Sequence, residues 1–392
     1  MIQYWLADSL RRFYPLSPAE VHDEISLRAL RGERVSFQMV CRTDGTPVTI
    51  GARVEGPDAI AVRVRRIGFV PMPHLNTETP DDDVEGRDFL PGYVPDPLFS
   101  ETTILAGPHE TNAFWVSVAI PDDAAPGEYR LHAVCAEDGQ ECARLSVILT
   151  VHPAVLPVRH NFPVTNWLYA DAIADWYRVD LWDEPFWRLL DRYLRNLAAH
   201  GQDTIYVPLF TPPLDGIKRP TQLLGVEPAG DGFAFDWTQV ERWLEAARVA
   251  GLRFFEWTHL FSQWGAAHAL RIYRGHGESG DLLWDPATPA TADVYRGFLG
   301  AFLPDFERFL RAEGIIEQSF FHLSDEPHGA AHLATYRAAR ELLRERAPWM
   351  RIMDAMSDVA FAREGLTDTP VALLPQAPSF VTEGFPAWAY FC

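Results

Sequence analysis

Ser319-Phe320-Phe321-His322-Leu323-Ser324-Asp325-Glu326-Pro327-His328 is an apolar run that halts at two adjacent acids and a proline, and a helical pattern over 330–346 follows it. Aromatic and apolar side chains in a short run suit a pleated, half-buried surface. Proline cannot donate to a ladder, so the strand read over Ser319–Ser324 must end before Pro327. A strand followed directly by an amphipathic helix is the repeating unit of a parallel β/α protein.

The same unit recurs on both sides. Upstream, Phe162–Tyr169 reads as a first strand, followed by a helix with Phe186, Leu189, Leu190, Tyr193, Leu194 and Leu197 on one face and Gly201 just past its end. Thr204–Phe210 is the second strand; its helix is capped by Asp236, presents Val240, Trp243, Leu244 and Ala247, and stops at Gly251. Leu252–His259 is the third, and a long excursion from Leu260 to Pro289 separates it from a helix marked by Tyr295, Phe298, Phe302 and Phe306, with Pro304 expected to bend it. Downstream, Arg351–Met356, Val371–Leu374 and Ala387–Phe391 read as the fifth, sixth and seventh strands. Seven such strands predict a (β/α)8 TIM-type barrel that stops short of its closing strand at Ala389-Tyr390-Phe391-Cys392.

Before residue 155 the grammar is different. Val35-Ser36-Phe37-Gln38-Met39-Val40, Phe114–Ile120 and Leu145–Val151 are β-branched or aromatic runs bounded by turn residues, which predicts an N-terminal β-sandwich. Asp138-Gly139 marks a hairpin that could bring Cys135 and Cys142 face to face, although four scattered thiols in a long chain do not make a disulfide framework. The stretch between Ile67 and Thr111, rich in Pro, Asp and Gly and carrying Asp81-Asp82-Asp83, is expected to be a long loop packed on a neighbouring domain. His152–His160, with two prolines and no periodicity, reads as a linker. The fold class is therefore multidomain β plus α/β, a sandwich over 1–155 and a barrel over 161–392.

Composition narrows the function classes. The 392 residues, 47% hydrophobic and 22% charged, are those of a soluble globular protein. A formal charge of −20 disfavours nucleic acid and anionic membrane surfaces but leaves neutral ligands open. No apolar run is long enough to span a bilayer, and the start MIQYWLADSLRRFYPLSP has no basic head leading into an apolar stretch, so no signal peptide and a cytoplasmic location are expected. Thirteen Trp, twelve Tyr and twenty-four Phe are enough to supply sugar-stacking rings as well as core. There is no CxxC metal motif, and neither a cofactor nor a metal is expected; the oligomeric state is not legible.

Asp325 and Glu326 lie at the C-terminal end of a barrel strand, where such enzymes keep their active sites. Neighbouring strand residues point to opposite faces, so the two acids can share a site only if the strand ends between them. Glycoside cleavage needs a proton donor for the leaving oxygen and an anion to support positive charge on the sugar. Glu326 is read as the general acid/base and Asp325 as the stabilising carboxylate, an ionised Asp325 being expected to raise its neighbour's pKa. Two other readings stand beside this one: Asp325 caps the following helix while Glu326 forms a surface ion pair, or His322, Asp325, Glu326 and His328 bind a metal, which strand alternation would scatter. Candidates to shape a sugar pocket are Trp167 and Tyr169 after the first strand, Tyr206 in the second, Trp257 and His259 in the third, Trp264 beyond it, His322 in the fourth and Asp358 after the fifth. His259 is favoured, as a polar ring at the expected mouth.

The opening Trp5-Leu6-Ala7-Asp8-Ser9-Leu10-Arg11-Arg12-Phe13-Tyr14-Pro15, then Gly32-Glu33-Arg34-Val35-Ser36-Phe37-Gln38, and finally Ser324-Asp325-Glu326-Pro327 resemble glycoside hydrolase family 123 and the related domain-of-unknown-function family 4091. The resemblance implies a β-sandwich joined to a catalytic barrel and substrate-assisted, retaining cleavage of β-linked N-acetylhexosamine, with N-acetylgalactosamine as the sugar. It puts the oxazolinium-stabilising role on Asp325 and the proton-transfer role on Glu326. A carbohydrate-binding relative that has lost catalysis, and a metal-dependent barrel hydrolase, are the competing classes.

Overall fold

The computed structural model describes residues 2–75, 84–159, 162–230, 232–386 and 388–391. Two compact units divide the chain, Met1–Arg159 and His160–Cys392.

Among the described residues the first unit has ten strands: β1 (Gln3–Asp8), β2 (Glu24–Arg31), β3 (Arg34–Arg42), β4 (Val48–Glu55), β5 (Ala61–Met72), β6 (Gly92–Phe99), β7 (Thr103–Ala106), β8 (Thr111–Ala119), β9 (Gly127–Glu137) and β10 (Gln140–Val155). They form two five-stranded sheets, β1-β3-β8-β5-β6 and β2-β10-β9-β4-β7. Alternation explains the core. On β10, Leu145, Val147, Leu149 and Val151 are buried while Ser146, Ile148 and Thr150 between them are only partly so. Their apolar faces meet Leu6, Phe37, Met39, Phe114 and Val116 in one cluster. The β9–β10 hairpin turns through Asp138 and Gly139, both at positive φ (45° and 85°), as a tight two-residue hairpin requires. At its far side β10 runs parallel to β2, so the sheet is not made of hairpins alone.

Two expectations change here. The segment expected to be a loop between Ile67 and Thr111 is interrupted by strand: β5 continues to Met72, and β6 and β7 follow, pairing with β5 and β4 despite the prolines of β6. Asp81, Asp82 and Asp83 lie outside the described residues, as do His160 of the linker, Ala387 of the seventh predicted strand, and Cys392. Cys135 and Cys142 are not bridged; Cys142 falls at a register irregularity of β10, and its thiol donates to the Cys135 carbonyl oxygen at 3.3 Å.

The second unit follows the order α1 (Ala170–Tyr177), α2 (Glu184–Ala199), β11 (Thr204–Val207), β12 (Gly225–Ala229), β13 (Gly232–Asp236), α3 (Thr238–Ala250), β14 (Phe254–Trp257), α4 (Asp293–Ala312), β15 (Ser319–Phe321), α5 (Gly329–Arg346), β16 (Met353–Met356), α6 (Ala360–Arg363), β17 (Thr369–Leu373), α7 (Ala377–Thr382) and β18 (Trp388–Tyr390). Strands β11, β14 and β15 form one parallel sheet and β16, β17 and β18 another, linked by a parallel bridge between Phe321 and Ile352. This is a half-barrel sheet of six parallel strands. Phe162–Tyr169, read above as the first strand, does not form one: Val164 accepts hydrogen bonds from the amides of Asp203 and Thr204, both at 3.2 Å, without a ladder. The hairpin β12–β13 is an addition that periodicity did not reveal, and it packs Phe233 and Phe235 against Phe298.

Helix α4 holds the sheet's outer face. Tyr295, Phe298, Phe302 and Phe306 recur at three- and four-residue steps, so all lie on one side of the helix, and each is at most 1% exposed. Pro304 lies within this helix. Among the described residues, no helix is long and apolar enough to cross a membrane.

Candidate active site

Strand parity sorts the side chains of β14. Phe255 and Trp257 point to the helices, where Trp257 meets Phe306 edge-on at 4.9 Å and its indole N–H donates to Ser319 Oγ at 2.9 Å. Glu256, between them, points the other way and is 2% exposed. Trp257 is therefore a core residue and not part of a sugar pocket. Its parity, opposite to that of Glu256, is the reason.

On the inner side Glu256 collects three donors: Thr165 Oγ1 at 2.7 Å, Trp167 Nε1 at 2.8 Å and His322 Nε2 at 2.7 Å. His322 Nδ1 lies 3.0 Å from Asp354 Oδ1. Asp354, on β16, is fully buried and also accepts from the Tyr336 hydroxyl at 2.6 Å and from the amides of Leu323 and Ser324. Burial alone would lower the His322 pKa, but the bonds to Asp354 and Glu256 outweigh it and hold the ring up at about 10. For Glu256, burial works upward and is outweighed by the bonds from His322, Thr165 and Trp167, so its carboxyl sits below the usual range. Burial raises Asp354.

His259 stacks on His322, ring centroids 4.4 Å apart and planes 23° from parallel. Its Nδ1 is 3.2 Å from the Tyr206 hydroxyl, and Trp167 meets it edge-on at 5.6 Å. Burial, and then the charge of His322, push His259 well below the usual histidine range. Tyr206 is fully buried and its hydroxyl is driven far up by that burial.

The run after β15 leaves the sheet at His322. The amides of Leu260, Phe261 and Trp264 donate to the carbonyls of His322, Leu323 and Asp325, at 3.1, 3.0 and 2.9 Å. Ser324 fastens this crossing: its hydroxyl donates to the Ser262 carbonyl at 2.8 Å and accepts from the amides of Gly265 and Ala266 at 3.1 and 3.2 Å. Trp264, Gly265 and Ala266 all have positive φ, and Trp264 is 47% exposed beside the acid pair. At Glu326 the backbone enters the left-handed region, φ 45°, which ends the strand alternation between the two acids.

The acids differ in surroundings. Asp325 is 5% exposed, and Gln263 Nε2 donates to its Oδ2 at 3.1 Å. Burial first, then neighbouring Glu326, push its carboxyl up to about 7, with His322 pulling the other way. Glu326 is less buried, and the Tyr390 hydroxyl donates to its Oε1 at 2.7 Å. Of the two acids, it is Asp325 on which the desolvation falls. Tyr169 lies within the same field, its hydroxyl raised by burial and then by the charge of Asp325.

Of the predicted pocket residues, Trp167, Tyr206, His259 and His322 come together with one another, and Tyr169 and Trp264 adjoin Asp325. Asp358 does not join them; its Oδ1 accepts the Ala360 amide at 2.9 Å, an Asx turn just ahead of α6. The metal set of His322, Asp325, Glu326 and His328 is not assembled, since His328 is exposed and pairs with the His332 ring at 4.4 Å. Among the described residues one other trio, His259, His322 and Asp354, offers ligand atoms within 4.8 Å of one another, but both ring nitrogens of His322 already face carboxylates. Glu256, Asp354, Gln263 and Tyr390 escaped the sequence reading. An acid flanked by aromatics in Phe254-Phe255-Glu256-Trp257, and another within Met353-Asp354-Ala355-Met356, were the available signals.

A family profile described as "Glycoside hydrolase 123, catalytic domain" matches residues 167–392. The solved structure of a family 123 glycoside hydrolase from Clostridium perfringens, described in work on glycolipid glycan hydrolysis, is similar with a TM-score of 0.76 at 14% identity, covering 100% of this chain and 72% of that one. At that identity the likeness speaks for the fold alone. A Bacteroides ovatus GH5 xyloglucanase in complex with a XXXG heptasaccharide covers 94% of this chain and 69% of that one at 11% identity, and its TM-score of 0.27 carries no argument. No curated protein matches the chain.

Proposed function

The chain belongs to glycoside hydrolase family 123, and on that footing we propose that it cleaves β-linked N-acetylhexosaminides with retention, the substrate's own 2-acetamido group serving as nucleophile. Family membership makes it a glycosidase with a carbohydrate substrate; the retaining, substrate-assisted route and the N-acetylhexosamine, N-acetylgalactosamine among them, are the finer reading. The six parallel strands are taken as part of a (β/α)8 barrel whose C-terminal mouth holds the acids.

One observation carries the reading. Of the four acids described at this site, Asp325 and Glu326 are adjacent in sequence, with Glu326 in the left-handed region, while Glu256 and Asp354 are both committed to His322. An enzyme that forms a covalent glycosyl intermediate sets two carboxyls about 5 Å apart across the sugar. Here the second carboxylate's role falls to the substrate. Glu326 gives its proton to the glycosidic oxygen as the C1–O bond breaks and the acetamido oxygen closes on C1. Asp325, as an anion, accepts the amide N–H while the oxazolinium gathers positive charge. Glu326 then takes a proton from water, which opens the ring at C1 on the original face. Trp264, exposed beside the pair, suits a stacking surface for the sugar beyond the cleaved bond.

The test is turnover of an aryl β-N-acetylgalactosaminide and of its 2-hydroxy counterpart. The acetamido substrate alone should be cleaved, Glu326→Gln should lower its kcat by about 10³-fold or more, and kcat/KM should rise with pH through about 7 as Asp325 ionises. Equal cleavage of both substrates would defeat the substrate-assisted route.

A further inference from the structure

Glu256, His322 and Asp354 take no part in the bond-making steps above, yet they are among the most deeply buried ionisable groups in the unit, at 2%, 2% and 0% exposed. Ionised carboxylate oxygens only accept hydrogen bonds, whereas a neutral imidazole donates from one nitrogen and accepts at the other. His322 faces a carboxylate on both sides, Glu256 at 2.7 Å and Asp354 at 3.0 Å, so with both acids ionised, as their several donors favour, both ring nitrogens carry protons. Other donors occupy the remaining carboxylate positions: Thr165 and Trp167 on Glu256, and Tyr336 with the amides of Leu323 and Ser324 on Asp354.

We infer that Glu256, His322 and Asp354 form a fixed anion–cation–anion string, and that His322 is a positioning residue whose permanent charge keeps Asp325 available as an anion. The inference rests on the reading of Asp325 and Glu326 as the reacting acids. Two effects run through the string. Asp354 holds the amides of Leu323 and Ser324, so it sets the exit path of the chain that delivers Asp325. The imidazolium supplies positive charge close to Asp325, against Glu326 beside it and Asp354 beyond. Without that proton the same space would hold two carboxylates uncompensated, and Asp325 would be still harder to ionise.

The groups facing His322 are Glu256 from β14, His259 from the run after it, Asp354 from β16 and Asp325 from its own segment. Burial, and then the charged His322 ring, hold His259 neutral, and its Nε2 is buried without a partner. The groups facing Asp325 are His322, Asp354, Glu326 and Gln263, with Tyr169 and Tyr206 sensing its charge.

Ring-nitrogen NMR of the full wild-type chain reads the charge directly. Both His322 nitrogens should bear protons from pH 6 to about 8.5, while His259 stays neutral; a neutral His322 at pH 7 overturns the inference, whether or not the protein cleaves any glycoside. Two variants then test the consequence. His322→Gln removes the positive charge and should lower kcat/KM about 100-fold, moving its acid limb up by about one pH unit. Glu256→Gln removes one negative charge and leaves the imidazolium paired with Asp354, so its limb should move down. Opposite displacements are what charge demands; limbs that stay put, or move the same way, overturn the inference. If His322→Gln does not fold, the spectrum and the direction of the Glu256→Gln limb decide. A wild type with no glycosidase activity would sink the proposed function and leave the spectrum to judge the string.

Discussion

The inward face of β10 in the sandwich and the inward faces of β14 and β16 in the second unit obey the same two-residue alternation and bury opposite chemistry. One presents Leu145, Val147, Leu149 and Val151; the other presents Glu256 and Asp354, with His322 continuing from β15. In the sandwich, burial is its own reward, because apolar area leaves water. In the parallel sheet each buried charge is tolerated only through partners, and the count of donors on Glu256 and Asp354 shows how fully they are met. Equal burial thus means robustness in one unit and a poised site in the other.

Substitutions on the two faces should separate sharply. The largest effect belongs to Asp325→Asn, which keeps shape and removes charge: kcat/KM on an aryl β-N-acetylhexosaminide should fall about 10³-fold. The same change should stabilise the fold at high pH. The folded carboxyl sits at about 7, above its unfolded value of about 4, so its favourable contribution is complete below pH 4 and lost as pH rises through 7. Unfolding free energies of variant and wild type should therefore agree near pH 4, separate in the variant's favour between pH 4 and 7, and stay apart above that by on the order of a few kcal/mol. A constant gap across pH would assign the effect to packing.

Next comes Asp354→Ala, which leaves His322 Nδ1, the Tyr336 hydroxyl and the amides of Leu323 and Ser324 without their buried acceptor and should cost about 3–5 kcal/mol, read by chemical denaturation of the second unit's transition. Leu149→Ala, the sandwich counterpart, should cost about 2–5 kcal/mol through its cavity and leave the kcat of the folded protein untouched. If it lowered kcat as much as Asp354→Ala, the contrast between the two faces would collapse. Smallest is Asp358→Ala, which deletes the side-chain hydrogen bond from the Ala360 amide for about 1 kcal/mol; a larger loss of activity than of stability there would restore Asp358 to the site.

Much of this was legible because periodicity reports burial. The change of grammar near residue 155, the parallel repeat, and the acid pair before Pro327 all follow from local patterns. What was not legible depends on parity and on distant partners. Trp257 and Glu256 are neighbours, and an error of one residue exchanges core for site. Asp354 and Tyr390 reach the acids only through the fold, from 29 residues beyond Asp325 and 64 beyond Glu326. The first predicted strand failed because Val164 is held by Asp203 and Thr204 without a neighbouring ladder, a tertiary choice that propensity cannot anticipate.

The three bonds made by the Ser324 hydroxyl bear on how this enzyme could be re-engineered. They join Ser262, Gly265 and Ala266 to the turn that bears the acids, so the segment carrying Gln263 and Trp264 is keyed to one particular hydroxyl. A graft of that segment from another glycosidase would bring new side chains beside the acids and an unmatched key together. Segment and Ser-Asp-Glu-Pro turn are a single exchangeable cassette, and library designs that vary one while freezing the other will sample mostly broken locks.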